Sequence, residues 1–189
     1  MATGLLTMTT GLVSVAYMET LPVALGIGLM VRPAGPADGE RLGAFLDRCS
    51  PTTLYRRFHG PGEQPARREM ARVAAPTADY RSWLALSPGG DVRGVATLAS
   101  GRDGTVEAAF MVEDAWARRG VGRVLWAALA QDACRSRLAT IRANVQADNE
   151  RAVRFLLAVA PGARSRYAGD AQIEVTLPVA PAMCTQEAA

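Results

Sequence analysis

From Val31 onward the chain alternates short apolar runs with polar or glycine-rich breaks, and the period of each run predicts its element. The clearest stretch is Val106–Arg137. It begins as a strand, Val106–Val112, whose β-branched and aromatic residues end at the polar pair Glu113-Asp114. A loop with two arginines, Ala115–Arg119, leads to Gly120-Val121-Gly122. There an apolar helix opens, with Val121, Leu125, Ala128 and Leu129 spaced for one buried face. Upstream, Val31–Pro33 reads as a short strand. A helix opening at Pro36 presents Leu42, Phe45 and Leu46 and is broken by Ser50-Pro51. Thr52–Pro61 is expected to be a short helix and loop, and Pro65–Ala74 a further helix. Strands follow at Ser82–Leu86 and Val92–Ala99, joined by the turn Pro88–Asp91. Downstream come a strand at Thr140–Gln146, a helix at Asn149–Val159, and two last strands near Arg164–Tyr167 and Gln172–Leu177. The order is β-α-α-β-β-β-α-β-α-β-β.

The 189 residues suffice for one domain with a sizeable core. We divide the chain into an extension at 1–29, a domain at 30–178 and a loose tail at 179–189. The extension carries one charged residue, Glu19. It lacks the positive start of a secretory signal, and its apolar run Leu21–Met30 is too short and glycine-broken to span a bilayer, so no membrane partner is expected. It is expected to be either a floppy extension or an over-long start with the true initiator at Met30. Net charge is +3, and all 21 basic residues are arginine. Arginine suits phosphate recognition, but these residues are scattered and not interleaved with aromatics, which does not favour a nucleic-acid surface. Three widely spaced cysteines, Cys49, Cys134 and Cys184, argue for a reducing compartment, hence the cytoplasm, and against a disulfide framework or a zinc site. A Ser-His-Asp triad or multi-histidine metal site would have to be built on His59, the sole histidine. No metal is expected.

A strand, an Arg- and Gly-containing loop and a helix start form one way to hold a phosphorylated ligand. The first N–H groups of a helix lack internal partners, its N-terminus carries about half a positive charge, and glycine lets an anion approach the backbone. The loop is not a P-loop, since no Gly-Lys-Ser/Thr follows. Nor is it a dinucleotide fingerprint, because Leu125 stands where the last glycine belongs.

Arg118-Arg119-Gly120-Val121-Gly122-Arg123 resembles the acyl-CoA loop of the GNAT superfamily of N-acetyltransferases, Gln/Arg-x-x-Gly-x-Gly/Ala. Ala117 departs from the pattern at its first position, where Arg118 or Arg119 could supply the side-chain contact. Asn149-Glu150-Arg151-Ala152 is similar to the family's Asn-x-x-Ala helix, whose Asn touches the CoA arm; Asn149 is equally an N-cap residue. The stretch Ser50–Pro61, with Tyr55-Arg56-Arg57-Phe58, resembles the bacterial protein-lysine acetyltransferase branch. The resemblance covers roughly Val31–Leu177. It implies an α+β fold with a single GNAT domain: a mixed, mostly antiparallel twisted sheet flanked by helices.

It also implies the chemistry. Acetyl-CoA is the donor and an amine the acceptor, either a protein lysine or a small molecule such as an antibiotic, polyamine or amino acid. Glu107 matches the branch's general base, although a Glu at that place can also be a solvent-facing strand residue. Backbone N–H groups near Met111 and Val112, where the family's strand splays, would serve the thioester carbonyl and the pantetheine arm. Arg118, Arg119, Gly120, Val121, Gly122, Arg123 and Asn149 complete the expected cofactor contacts. The tyrosine that often protonates the leaving thiolate is replaced by Leu156, an ordinary core residue type; Tyr167 is a distant substitute. That absence leaves a non-catalytic acyl-CoA-binding module as the alternative. A homodimer is compatible with all of this.

Overall fold

The computed structural model describes residues 28–58, 63–101 and 103–179. His59 and Cys184, the tail beyond Val179 and the first 27 residues lie outside the described residues. The elements are β1 (Met30–Pro33), α1 (Gly39–Asp47), α2 (Pro51–Phe58), α3 (Glu63–Val73), β2 (Tyr80–Leu86), β3 (Val92–Ser100), β4 (Val106–Val112), α4 (Val121–Arg135), β5 (Thr140–Gln146), α5 (Glu150–Val159), β6 (Arg164–Gly169) and β7 (Gln172–Pro178). Short 3₁₀ turns precede α1, at Pro36–Asp38, and follow β4, at Asp114–Trp116. The strand order is β1-β2-β3-β4-β5-β7-β6. Every neighbouring pair is antiparallel except β4 and β5. This is the α+β sheet expected, with the 51–58 segment forming its own helix.

Two cores lie on the two faces of the sheet. Odd and even positions of a strand face opposite ways, so β4 sends Ala108 into one core and Met111 into the other. The first core holds Val121, Leu125 and Leu129 of α4 with Leu156 of α5. The second holds Leu42 and Phe45 of α1 with Met70 and Val73 of α3. Each such side chain, fully buried, is worth about 1.5–3 kcal/mol. Leu29, which the sequence division assigned to the extension, is 5% exposed and packs in the first core. The buried unit therefore begins before Met30, because Leu29 continues the line of β1 into the sheet's apolar face.

Cys134, on α4, is disulfide-bonded, which corrects the expectation that the cysteines stay reduced. An odd cysteine count argues only against pairing all three. Cys49 is free and buried. Burial pushes its thiol up to about 12, with Asp114 and Glu113 adding to the effect, so it is not a nucleophile at neutral pH. No described helix is long and apolar enough to cross a membrane.

Candidate functional site

The parallel pair β4 and β5 touches at one point of register, Glu107 against Arg142. Beyond it the strands part, while β4 stays fully laddered to β3 on its other side. The Glu113 N–H donates to the Arg93 carbonyl at 3.0 Å. Antiparallel alternation then turns the Met111 N–H toward β3 and those of Phe110 and Val112 into the gap. The family resemblance placed the open N–H groups near Met111 and Val112; the alternation assigns them to Phe110 and Val112.

The gap opens into a cleft of about 800 Å³. One wall is the loop and start of α4: Arg118, Gly120, Val121, Gly122 and Arg123. Facing it are Asn149, Arg151, Arg154 and Phe155 of α5, and Thr52, Thr53, Arg56 and Arg57 of α2. Met111 and Val112 form part of the floor. A smaller recess of about 100 Å³ continues the cleft between β4 and β5, past Ala109, Ala143 and Asn144.

The loop's backbone explains its glycines. Gly120 caps α4 with φ +88°, a left-handed conformation that glycine adopts without strain. Arg118 also has positive φ, +65°, uncommon for a residue with a Cβ. No N–H group from Arg118 to Gly122 has an acceptor among the described residues, whereas Arg123 and Val124 donate to the Gly120 carbonyl. The result is a concave run of unpaired donors at a positive helix end, an arrangement that binds anions. Gly122 has a second reason to be glycine. A Cβ there would lie 2.9 Å from Cζ of Phe155, so the bare backbone lets α5 close on α4. Phe155 also meets Phe110 edge to face at 5.8 Å.

Two expected residues sit elsewhere. Arg119 is off the lining, with its guanidinium 5.5 Å from the Trp116 ring centre, and Arg93 lies 5.3 Å from the same ring. Glu107 is exposed and also off the lining; its Oε1 accepts from Nδ2 of Asn144 at 3.1 Å. Asn149 both caps α5, accepting from the Ala152 N–H at 3.3 Å, and lines the cleft. Leu156 is buried in the core. Tyr167 is 69% exposed on the β6–β7 hairpin, where its hydroxyl accepts from the Ala171 N–H.

The polar pair after β4 ties the two walls together. Glu113 is buried and receives Arg48 Nε at 2.9 Å and Arg93 at 2.9 Å. Asp114 accepts from the Ser50 N–H, the Ser50 hydroxyl and the Thr53 hydroxyl, at 2.8, 2.9 and 2.9 Å. Burial alone would raise the Asp114 carboxyl; the hydrogen bonds from Ser50 and Thr53 outweigh it and hold the group below the ordinary carboxylate value. Sequence reasoning read this pair only as a strand terminator. It also missed Phe110, Phe155 and Trp116, whose contacts depend on how α5 and the loop pack. Among the described residues no group of three or more His, Cys, Asp or Glu side chains could hold a metal ion.

A model of the acetyltransferase (GNAT) family matches residues 50–164. Among solved structures, the GNAT domain of S. lividans PAT superposes with a TM-score of 0.72 at 23% identity, over 79% of this chain and 90% of that one. A cAMP-binding acyltransferase from Mycobacterium smegmatis is 24% identical with a TM-score of 0.59, over 90% of this chain and 49% of that one. The ribosomal-protein-S5-alanine acetyltransferase from Vibrio fischeri gives a TM-score of 0.60 at 11% identity, over 79% of this chain and 91% of that one.

Proposed function

Because the chain belongs to the acetyltransferase (GNAT) family, we propose that it transfers an acetyl group from acetyl-CoA to a primary amine by direct attack. The observation that carries this is the run of unpaired N–H groups from Arg118 to Gly122 beside the gap between β4 and β5. The run would take the CoA pyrophosphate, with Arg118 and Arg123 adding charge. The pantetheine arm would follow β4 into the gap, with the Phe110 and Val112 N–H groups as donors and Asn149 on the opposite side. The domain we assign to this activity is 30–178, preceded by Leu29.

In the reaction the amine nitrogen bonds to the thioester carbon and the C–S bond breaks, releasing CoA. Glu107 takes the proton the amine loses, directly or through water, and Asn144 orients its carboxylate. A backbone N–H in the gap meets the charge that develops on the carbonyl oxygen. With Leu156 in the core, the leaving sulfur departs as thiolate or takes its proton from water. The acceptor is a protein lysine in preference to a small molecule. This leaning rests on Tyr55-Arg56-Arg57-Phe58 and on the likeness to a PAT domain. We take the protein to be bacterial and cytoplasmic; the latter follows from the donor alone, since Cys134 no longer argues for a reducing compartment.

Mass spectrometry of acetyl transfer into a protein extract, run beside a panel of small amines, tests the reading. Transfer to protein lysines in preference to the small amines supports it, and no transfer to any amine overturns it. A second reading, a non-catalytic acyl-CoA-binding module, draws on the exposure of Glu107 and the burial of Leu156. It expects CoA binding without turnover.

A further inference from the structure

The transfer end of the cleft is lined by two arginines and by no carboxylate, although Glu69 pairs with one of them and Glu107 lies just outside the recess. Arg56 and Arg57, adjacent on α2, line both the main cleft and the recess that continues it between β4 and β5. The recess walls are otherwise alanines, Val145, Leu156, two phenylalanines and the amides Asn144 and Asn149; no carboxylate lines it. Asp114 is the acidic residue on the main cleft, and its oxygens are occupied by Ser50 and Thr53.

The two arginines differ in how they are held. Arg57 donates from Nη2 to Glu69 at 2.7 Å, and the Tyr80 hydroxyl donates to the same oxygen at 2.7 Å. Its guanidinium also lies 5.1 Å from the Phe58 ring. Arg57 is thus fixed in place, with donors left over. Arg56 has no hydrogen bond or ion pair among the described residues. Glu69 offsets the charge of Arg57, which leaves the Arg56 guanidinium as the uncompensated charge on this wall. An anion there pairs with Arg56 and with the unused donors of Arg57, and the planar fork of arginine fits a carboxylate on two points.

Resting on the acyl-transfer reading, we infer that Arg56, with Arg57 beside it, recognises a carboxylate brought to the transfer end by one of the two substrates. The carboxylate can be carried by the donor, as the free end of a dicarboxylic acyl chain, or by the acceptor, close to its amine. The pyrophosphate does not need these residues, because the loop on the opposite wall supplies its own donors. The small side chains at 108, 109 and 143 leave room beside them for more than a methyl group.

The test compares matched pairs within each protein, so a general change in rate cancels. In the donor arm succinyl-CoA is set against butyryl-CoA. In the acceptor arm an α-amino acid is set against its carboxamide, and a lysine peptide flanked by glutamate against one flanked by glutamine. Wild type should favour the carboxylate member of one arm by about ten- to a hundredfold in kcat/KM, the range of one charge-assisted hydrogen bond. In Arg56→Gln that ratio should fall toward one. Which arm responds identifies the carrier. Ratios near one in both arms of wild type overturn the inference, and so does a ratio that survives in Arg56→Gln. An Arg56→Gln protein that loses tenfold or more in affinity for CoA itself, with its ratios unchanged, assigns Arg56 to the cofactor phosphates instead. If CoA binds but nothing turns over, the same ratios are read from calorimetry, with donors titrated alone and acceptors titrated into the CoA complex. If CoA does not bind at all, the acyl-transfer reading fails and takes this inference with it.

Discussion

Asn144 Nδ2 donates to Glu107 Oε1 at 3.1 Å, from the next same-face position on β5 after Arg142, the parallel partner of Glu107. The bond joins a side chain on the recess lining to a carboxylate just outside it. It holds the Glu107 carboxylate beside the one point where β4 and β5 pair, and substitution tests whether this carboxylate is the general base. Glu107→Gln keeps the shape and removes the basicity. It should lower kcat by about 10²–10⁴-fold and leave the calorimetric affinity for acetyl-CoA near that of wild type. Asn144→Ala should lower kcat less, since it loosens the carboxylate without deleting it. Wild-type turnover by the Gln protein would remove Glu107 from the mechanism.

Gly122 and Phe155 set the width of the cleft's anion end. Gly122→Ala puts a Cβ 2.9 Å from the ring, and the ring is too stiff to bend away. The expected cost is about 1–3 kcal/mol of stability, as for other overpacked contacts. CoA affinity should fall at least tenfold because α5 and Asn149 are displaced. Adding Phe155→Leu should recover part of both losses, a coupling that a double-mutant cycle measures. Additive losses would mean that the two residues do not constrain each other.

Asp114 ties α2 to the chain that leads into the loop. Asp114→Ala removes three hydrogen bonds from one carboxylate and frees the start of α2. Charge-assisted bonds at a partly exposed site are individually modest, so a loss of about 1–3 kcal/mol is expected. The more telling readout is KM for the acceptor. If α2 forms the acceptor's wall, that KM should rise several-fold while CoA binding changes little. An unchanged acceptor KM would separate α2 from acceptor recognition.

The strands were legible in the sequence where alternation and turn residues agreed. Val106–Val112 and Thr140–Gln146 have the expected bounds because each ends at a polar break that cannot stay in the sheet. Gly120 was legible through its place before an apolar helix, and its left-handed φ supplies the reason. What pairing decides was not legible. The direction of the Met111 N–H depends on which strand β4 ladders with, and residue types carry no trace of that. The double duty of Gly122 depends on Phe155, far along the chain, arriving on α5. Arg119 was grouped with its neighbours by the family resemblance, but its guanidinium lies 5.5 Å from the Trp116 ring centre and off the cleft lining. Leu29 looked like the end of an uncharged tail because its burial is set by the sheet it joins and not by its own neighbours.

Asp38 gives the fold a pH dependence whose sign is fixed. Its carboxylate is 1% exposed and accepts two bonds from Arg32, at 2.7 and 2.5 Å, and one from the Gly35 N–H at 2.9 Å. The Arg32 hydrogen bonds hold the carboxyl below its ordinary value; burial opposes them, and the Gly35 and Arg41 contacts add to them. A carboxyl that is more acidic when folded stabilises the fold above its unfolded value, about 3.9. That stability is lost as pH falls through the folded value. Asp38→Asn cannot pair with Arg32 as an ion, so near pH 7 it should be about 1–3 kcal/mol less stable. For a domain of this size each kcal/mol lowers Tm by about 2–4 °C. The difference between the two proteins should shrink once the pH drops below about 4, because the unfolded chain's Asp38 then takes up a proton that the folded carboxylate resists. It should vanish below the folded value, where the folded carboxyl is protonated too and loses the ion pair. Thermal melts of both proteins between about pH 7 and pH 3 measure it. A gap that stays constant over that range would mean that the Arg32 pair contributes no pH-dependent stability, and that the loss on substitution comes from packing around the first turn of α1.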